Sequence, residues 1–288
     1  MKIRWLIWLV VFLIFGLTRV FSQTVPQRII SLSPNLTEMI YDLGAQDRLV
    51  GDTDYCQFPA EAKKKEKIGG WINPNFEKIV SLKPDLVVAL KFHDKAVNTL
   101  KKLNIPVVVF NCDSVKYILE TYTQLGKLLG REKRAKTAQQ ELEKRLEAVK
   151  QKGKGKKPLS VLFVVGRTPG TLNQIYAVGP QTFVDELIQM AGGVNVLHDA
   201  KTGYPLVSKE ELIQRNPDVI IDSVLSHEVE VRKAEKESTW DQMPVLQAVK
   251  NQHVYYFLDQ DFLIPGPSMV KLGEFLSDTF EKIRASHE

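Results

Sequence analysis

The sequence predicts an α/β protein of two pseudo-symmetric lobes with mainly parallel sheets, joined by one long backbone helix. Three observations support this fold class. Short β-branched runs alternate with helical patterns, a long helical pattern occupies the middle of the chain, and segments of the first half recur in the second. At 288 residues and 44% hydrophobic composition, the chain is long enough to fill two moderate cores.

The alternation of strands and helices sets the boundaries of the two lobes. In the first half the strand-like runs are RIISLS, RLVGDT, DLVVAL and PVVVF, each followed by a helical pattern. After Pro158 the same order resumes with LSVLFVVG, QIYAVG, DVIIDS and HVYYF. Crossover helices between strands imply parallel pairing. We therefore predict an N-terminal lobe over residues 23–130 and a C-terminal lobe over residues 153–288.

A connecting helix is predicted over residues 131–152. Its apolar positions follow helical spacing with charged residues between them, namely Ala135, Ala138, Leu142 and Leu146. Gly130 separates it from an earlier helix that begins near Val115. At 1.5 Å per residue the connecting helix is about 30 Å long, roughly the diameter of a small domain.

The first recurrent segment carries a matched glutamate. It reads NFEKIVSLKPDLVVAL in the first half and SKEELIQRNPDVIIDS in the second, and Glu77 and Glu210 each stand seven residues before the proline. Asn75 and Ser208 are natural N-caps, so the helix dipole alone is one explanation for an acid in the first turn. Glu211 occupies the capping-box position, which leaves Glu210 available for a partner.

The second recurrent segment runs from a proline to a glycine through a helix. It reads SPNLTEMIYDLG in the first half and GPQTFVDELIQMAG in the second. Glu38 and Glu186 each stand six residues before the closing glycine. Because the spacing between copies differs for the two recurrent segments, the order of elements is kept while loop lengths vary. This is the pattern expected of two similar lobes.

The first 22 residues are predicted to be a cleavable signal peptide. A basic start precedes an apolar run from Trp5 to Leu17, and Val20-Phe21-Ser22 provides the small or modest residues before a cleavage site. The run is shorter than the roughly 20 residues that span a bilayer, which makes an uncleaved anchor the alternative. Three of the five net positive charges lie in this segment, so the remaining chain has no nucleic-acid footprint.

Cys56 and Cys112 are the two cysteines, and both follow strand-like runs. Export to an oxidising compartment makes them candidates for a disulfide, with two separate half-buried thiols as the alternative. No cysteine follows the apolar N-terminal run closely enough to accept a lipid.

Four ordered segments resemble a known family, the substrate-binding proteins of ABC importers for cobalamin, siderophores and haem that have a helical backbone between lobes. The segments are RIISLSPNLTEMIYDLG, VGDTDYCQFPAEAKKKEKIGGWINPNFEKIVSLKPDLVVA, VGPQTFVDELIQMAGGVNVL and VSKEELIQRNPDVII. The resemblance implies a periplasmic, non-enzymatic monomer without a resident cofactor. It also implies that Glu77 and Glu210 dock onto arginines of a dimeric permease that works with an ATPase.

Within this family the pattern is most similar to the cobalamin-binding member, which implies a corrinoid ligand and otherwise haem or a ferric siderophore. The implied ligand-binding residues are Tyr55, Trp71, Tyr204, Asp259, Asp261 and Phe262. Aromatic rings in loops at a strand end suit a broad, flat ligand. One departure weighs against cobalamin, because Ile264 occupies the position where the cobalamin-binding pattern has an arginine.

His93 and His227 follow the two Pro-Asp strands and are candidate axial ligands for haem iron or corrinoid cobalt, with solvated loop histidines as the alternative. No separate metal site is predicted. The competing class is a chelatase-like enzyme that inserts a metal into a tetrapyrrole. The chain has no G-x-S-x-G, P-loop, HExxH or CxxC motif, so no catalytic residue is assigned.

Overall fold

The computed structural model describes residues 25–223, 239–257 and 264–286. The N-terminal lobe has a four-stranded sheet and four helices. Its strands are β1 (Ile29–Ser31), β2 (Leu49–Gly51), β3 (Leu86–Leu90) and β4 (Val107–Phe110). Its helices are α1 (Pro34–Asp42), α2 (Phe76–Ser81), α3 (Asp94–Lys102) and α4 (Val115–Leu128). All strands pair in parallel in the order β2-β1-β3-β4, as the crossover pattern predicts.

The connecting helix α5 covers Glu132–Gly153, which is the predicted range of 131–152 shifted by one residue towards the C-terminus. Its buried side chains include the four predicted apolar positions. Gly130 separates α5 from α4 with a φ of 63°, a left-handed conformation that favours glycine. Helix α4 and the last helix of the chain both pack against α5. Helix α5, which we call the spine, therefore contacts both lobes through its apolar face.

Within its described residues, the C-terminal lobe has a six-stranded mixed sheet. Its strands are β5 (Leu159–Gly166), β6 (Ile175–Ala177), β7 (Gly193–Asn195), β8 (Leu206–Val207), β9 (Val219–Asp222) and β10 (Val254–Tyr256). The described helices are α6 (Phe183–Met190), α7 (Lys209–Arg215), α8 (Gln247–Lys250) and α9 (Met269–Ala285). Strands β7, β5, β9 and β10 pair in parallel, whereas β6 pairs antiparallel with β5 and β8.

The recurrent Pro-Asp pair performs the same task in both lobes. The Asp85 carboxylate accepts hydrogen bonds from the backbone N–H groups of Gln27 and Arg28, at 2.7 and 2.9 Å. In the second copy, Asp218 accepts from the N–H and the hydroxyl of Ser160, at 2.8 and 2.7 Å. Each aspartate thus fixes the start of the first strand of its lobe beside the Pro-Asp strand.

One apolar core continues through both lobes. It contains Ile29 and Leu36 from the first lobe, Leu142 from α5, and Phe163 and Phe280 from the second lobe. Each sheet also has one smaller apolar cluster on its outer face. A helix apolar and long enough to cross a membrane is absent from the part of the chain that the structure describes.

Candidate functional site

Exposed aromatic side chains gather at the carboxyl edge of the N-terminal sheet. Trp71 and Phe92 meet edge to face with ring centroids 5.1 Å apart. Tyr55 lies beside Gly70, because a Cβ added to that glycine is 3.9 Å from Tyr55 Cε2. The exposed fractions of Tyr55, Trp71 and Phe92 are 53%, 37% and 54%. These three rings form what we call the aromatic wall, a surface suited to a flat ligand.

Phe92 was not among the predicted ligand-binding residues. It lies in a short 3-10 turn, Lys91–His93, directly after β3. That position at the carboxyl end of a parallel strand was the available signal, since such ends line the crevice of an α/β lobe. The loop that carries Trp71 is held by the pairing of Gly69 with Pro74. Contact between Trp71 and Phe92 depends on this fold and cannot be read from their sequence separation.

His93 lies beneath the aromatic wall and is only 3% exposed. Its Nδ1 accepts the backbone N–H of Leu90 at 3.0 Å, and burial lowers its pKa to about 4. The neutral ring therefore carries its proton on Nε2 and has no free lone pair for a metal. The prediction of an axial ligand at His93 is wrong for this arrangement. Throughout the described ranges, His, Cys, Asp and Glu form no group of three that suits a metal.

Tyr204 approaches the N-terminal lobe from the second lobe. Half of the side chain is exposed, yet burial raises the pKa of its hydroxyl and the charge of Asp113 adds to this effect. The hydroxyl end is therefore the desolvated part, near the first lobe. Asp113 pairs with Lys91 at 2.9 Å, and both side chains are exposed. Tyr204 therefore lies within electrostatic range of Asp113, which follows the last strand of the N-terminal sheet.

The carboxyl edge of the C-terminal sheet holds a buried polar cluster. Arg167 Nε lies 2.9 Å from Asp222 Oδ2, and the two side chains are 3% and 1% exposed. The indole N–H of Trp240 donates to the same carboxylate oxygen at 2.7 Å. The adjacent Ser223 is also buried. Such a pair is held by mutual charge and fixes the local geometry.

Glu77 and Glu210 are both exposed in the first turns of α2 and α7. The predicted N-caps are confirmed, since Asn75 accepts the Lys78 N–H at 3.0 Å and Ser208 accepts the Glu211 N–H at 3.1 Å. A helix that precedes a parallel strand runs back against it. The first turns of α2 and α7 therefore lie towards the carboxyl edges of their sheets.

The surroundings of the two glutamates differ. The carboxylate of Glu210 accepts from its own backbone N–H and from the Ser208 hydroxyl, which lowers its pKa. Glu211 instead pairs with Arg215 at 2.9 Å. Glu211 therefore does not complete the predicted capping box, whereas Glu210 is exposed, as the docking prediction requires. For Glu77, the described residues include no hydrogen-bond or ion-pair partner.

Each of these helices also exposes an aliphatic side chain one turn after its glutamate. Val80 is 48% exposed and Ile213 is 48% exposed. Both stand four residues before the proline, and positions three apart on a helix lie on one face. The recurrent surface is therefore a carboxylate with an aliphatic neighbour.

Cys56 and Cys112 are separate, buried, free thiols, so the disulfide is not formed. Cys56 Sγ lies 3.2 Å from the Thr37 hydroxyl, and Cys112 Sγ lies 3.6 Å from the Thr121 hydroxyl. Burial raises the pKa of both thiols, that of Cys112 to about 11. The alternative of two separate thiols is therefore the one that the structure shows, although both are fully buried and not half-buried. Because burial raises their pKa, they remain protonated at neutral pH.

Several predicted residues lie outside the described residues. These are the signal peptide, His227, Asp259, Asp261 and Phe262. The structure resumes at Ile264, which is partly buried and leads into α9 through Pro265 and Gly266. The contribution of these residues to ligand binding stays a prediction.

A cavity of about 410 Å³ lies on the spine side of the molecule. Residues of α1, α5 and α9, the N-cap Ser268 and the loop after β2 line it, among them Glu38, Tyr41, Phe58, Arg145, Ser268 and Lys271. Neither the residues of the aromatic wall nor Tyr204 line this cavity. We therefore treat it as part of the junction between lobes and not as the ligand cleft.

The sequence matches the periplasmic binding protein family over residues 29–260. The chain belongs to this family. This periplasmic binding protein is 32% identical over 263 residues to the uncharacterized ABC transporter substrate-binding lipoprotein YvrC of Bacillus subtilis, covering 88% of this chain and 80% of that protein. It is 28% identical over 225 residues to the vitamin B12-binding protein of Pectobacterium carotovorum, covering 77% of this chain and 78% of that protein.

Solved structures confirm the two-lobed fold. The periplasmic vitamin B12-binding protein BtuF of Vibrio cholerae superimposes with a TM-score of 0.78 at 24% identity, covering 90% of this chain and 98% of that one. IsdE of S. aureus, solved with haem, superimposes with a TM-score of 0.74 at 26% identity over 88% and 98% of the two chains. This chain is thus a binding protein of the ABC transporter type, related to vitamin B12 and haem binders.

Proposed function

We propose that this chain is the extracytoplasmic substrate-binding protein of an ABC importer that captures a corrinoid between its two lobes and delivers it to the permease. The observation that carries the ligand class is the aromatic wall of Tyr55, Trp71 and Phe92, with Tyr204 approaching from the other lobe. Flat rings on both sides match a macrocycle that is broad and mostly apolar on its faces. The relatives named for vitamin B12 support the same ligand class.

Haem or a ferric siderophore is the second candidate ligand. The similarity to a haem-bound structure favours this candidate. Ile264 favours it too, because the cobalamin-binding pattern has an arginine at that position. His93 does not support iron ligation, because its Nδ1 is occupied and its Nε2 carries the proton. A haem bound beside the aromatic wall would therefore take its axial ligand elsewhere. The chelatase-like alternative has no support from the family, whose named relatives are transport proteins.

The ligand assignment is tested by absorbance titration of the purified protein with cyanocobalamin, hemin and a ferric hydroxamate. We expect stoichiometric binding of cyanocobalamin. Trp71→Ala should weaken that binding about 30-fold, which corresponds to roughly 2 kcal/mol for a buried aromatic contact. Phe58→Ala is the matched control, because Phe58 is also 37% exposed but lines the spine-side cavity.

Three results would change the ligand assignment. Preferential binding of hemin or of the ferric hydroxamate replaces the corrinoid with that ligand. Equal loss in Trp71→Ala and Phe58→Ala removes the aromatic wall from the site. Turnover of tetrapyrrole with added metal supports the enzyme class.

Docking is proposed to place one carboxylate of each lobe against arginines of a dimeric permease that works with an ATPase. Glu77 and Glu210 have equivalent, exposed positions, and carboxylate–guanidinium pairs are directional. Delivery of this kind requires export, so we propose a periplasmic protein released from its N-terminal signal segment. We also propose that it acts as a monomer, which presents both glutamates to a two-fold partner at once.

The docking proposal is tested with the double variant Glu77→Lys and Glu210→Lys. We expect loss of transport by the reconstituted importer at unchanged ligand affinity, because charge reversal opposes the arginines without touching the aromatic wall. A parallel fall in ligand affinity would place the glutamates in the binding site or the fold. Unchanged transport would remove them from docking.

A further inference from the structure

The buried carboxylate of Glu38 connects the N-terminal lobe to the start of the last helix. Glu38 lies in α1 and is 8% exposed. It accepts hydrogen bonds from the hydroxyl and the backbone N–H of Ser268, the N-cap residue of α9. The amide of Asn35, in the same helix, donates to the Pro265 carbonyl at 3.0 Å. Two side chains of one lobe thus hold the segment that leads into the last helix of the other.

Gly266 allows this close approach. A Cβ at this position would lie 2.8 Å from Glu38 Oε2 and 3.0 Å from Asn35 Cβ. A larger residue would push the segment away from α1. Contact between the lobes at this point therefore depends on the absence of a side chain.

Glu186 makes the corresponding contact in the opposite direction. It lies in α6 of the C-terminal lobe, at the position that matches Glu38 in the recurrent segments. Its Oε2 accepts the backbone N–H of Val115 at 2.7 Å, and Val115 is the first residue of α4 in the N-terminal lobe. The recurrent glutamates therefore each cross from their own lobe to the other.

The two contacts have the same arrangement of helices and carboxylates. Helices α4 and α9 both pack on the spine α5, and each receives a carboxylate from the opposite lobe at its N-terminus. Backbone N–H groups and the helix dipole favour a carboxylate at that end. Rotation of one lobe about α5 would separate both carboxylates from their donors, because each bond joins a helix of one lobe to a helix of the other.

We propose that Glu38 and Glu186 are a matched pair of latches that set the angle between the lobes and keep the cleft narrow until both bonds break. This role is independent of the ligand and of docking. It explains why an acid recurs at this point in both lobes although neither is exposed in the aromatic wall. It also accounts for an acid in the middle of α1, where the helix dipole offers little help.

The test measures the distance between the lobes directly. Lys95 and Lys201, exposed residues of the two lobes, are replaced by cysteine and spin-labelled. Pulsed electron–electron double resonance then gives the distribution of distances between the two labels. Cys56 and Cys112 are buried and do not compete for the label. The variants are Glu38→Ala, Glu186→Ala and their combination. Glu132→Gln, at an exposed glutamate of the spine, is the matched control.

We expect each alanine variant to broaden the distribution and the double variant to shift it to longer distances. Glu38→Gln and Glu186→Gln should restore most of the wild-type distribution, because an amide oxygen still accepts the same hydrogen bonds. Ser268→Ala removes the hydroxyl that donates to Glu38. Its distance distribution should broaden as in Glu38→Ala, without the packing defect that truncating Glu38 creates. Wild-type distributions in the folded alanine variants would overturn the proposal, and so would equal broadening in Glu132→Gln.

Discussion

The two lobes share one order of strands but differ in what they place at the carboxyl edge. Strands β2-β1-β3-β4 of the first lobe and β7-β5-β9-β10 of the second are both parallel and equivalent in order. At the edge of the first sheet, Trp71 and Phe92 are exposed and the ion pair of Lys91 with Asp113 is solvated. At the edge of the second, Arg167 and Asp222 are buried together.

This difference separates what the repeated sequence must keep from what it is free to change. The Pro-Asp pairs, the helix caps and the crossing glutamates recur because they hold the scaffold. The loops after the strands do not recur, and they carry the residues that we propose contact the ligand. One edge is therefore suited to contact with a ligand, whereas the described part of the other is suited to rigidity.

The largest expected effect contrasts the two ion pairs. Asp222→Asn removes the carboxylate that pairs with the buried Arg167 guanidinium and accepts the Trp240 N–H, so we expect the free energy of unfolding to fall by about 3 kcal/mol. Asp113→Asn removes a solvated pair and should leave the free energy of unfolding nearly unchanged. Urea denaturation of both variants measures the contrast. Similar small losses would mean that the buried pair is not a rigid element of the C-terminal lobe.

A second expected effect concerns Glu38 and pH. The pKa of Glu38 is raised from 4.5 to about 7, chiefly by burial. The hydrogen bonds from Ser268 oppose this rise, the charge of Asp42 adds to it, and the charge of Lys271 lowers the pKa. Because the folded state binds this proton more tightly, its stabilisation is complete below about pH 4.5 and is lost as pH rises to about 7. The change is roughly 3 kcal/mol. Arg145, on the facing helix, is paired with Glu274 and does not neutralise Glu38.

Urea denaturation between pH 4.5 and 7.5 tests this dependence. Glu38→Gln should flatten the decline, since an amide does not titrate. Glu186→Gln is the comparison from the other lobe, where burial also raises the pKa but the side chain is more exposed. We expect a smaller flattening there. A pH dependence that is identical in wild type and Glu38→Gln would contradict the assignment.

The sequence predicted the fold class, the connecting helix and the N-caps at Asn75 and Ser208, because each depends on local periodicity or on a few adjacent residues. It did not predict that β6 pairs antiparallel with β5, since the direction of a short strand is set by the chain around it. Phe92, the proton position on His93 and the bond between Glu186 and Val115 depend on tertiary contacts. The proposed ligand site and the proposed latch depend on those features, so the site was predicted less completely than the scaffold.

The smallest expected effect concerns Val80 and Ile213, the exposed aliphatic residues beside the two glutamates that we propose for docking. Val80→Ser and Ile213→Ser each remove apolar area that docking would half bury, so we expect about a fivefold loss of affinity for the permease–ATPase complex, or roughly 1 kcal/mol. Val245→Ser is the control, because Val245 is 49% exposed and lies outside both docking helices. Competition with wild-type protein on nanodisc-held importer measures the difference. Equal losses at Val80 and Ile213 indicate symmetric docking, whereas a loss at one position alone means that the permease contacts the two lobes differently despite their matched carboxylates.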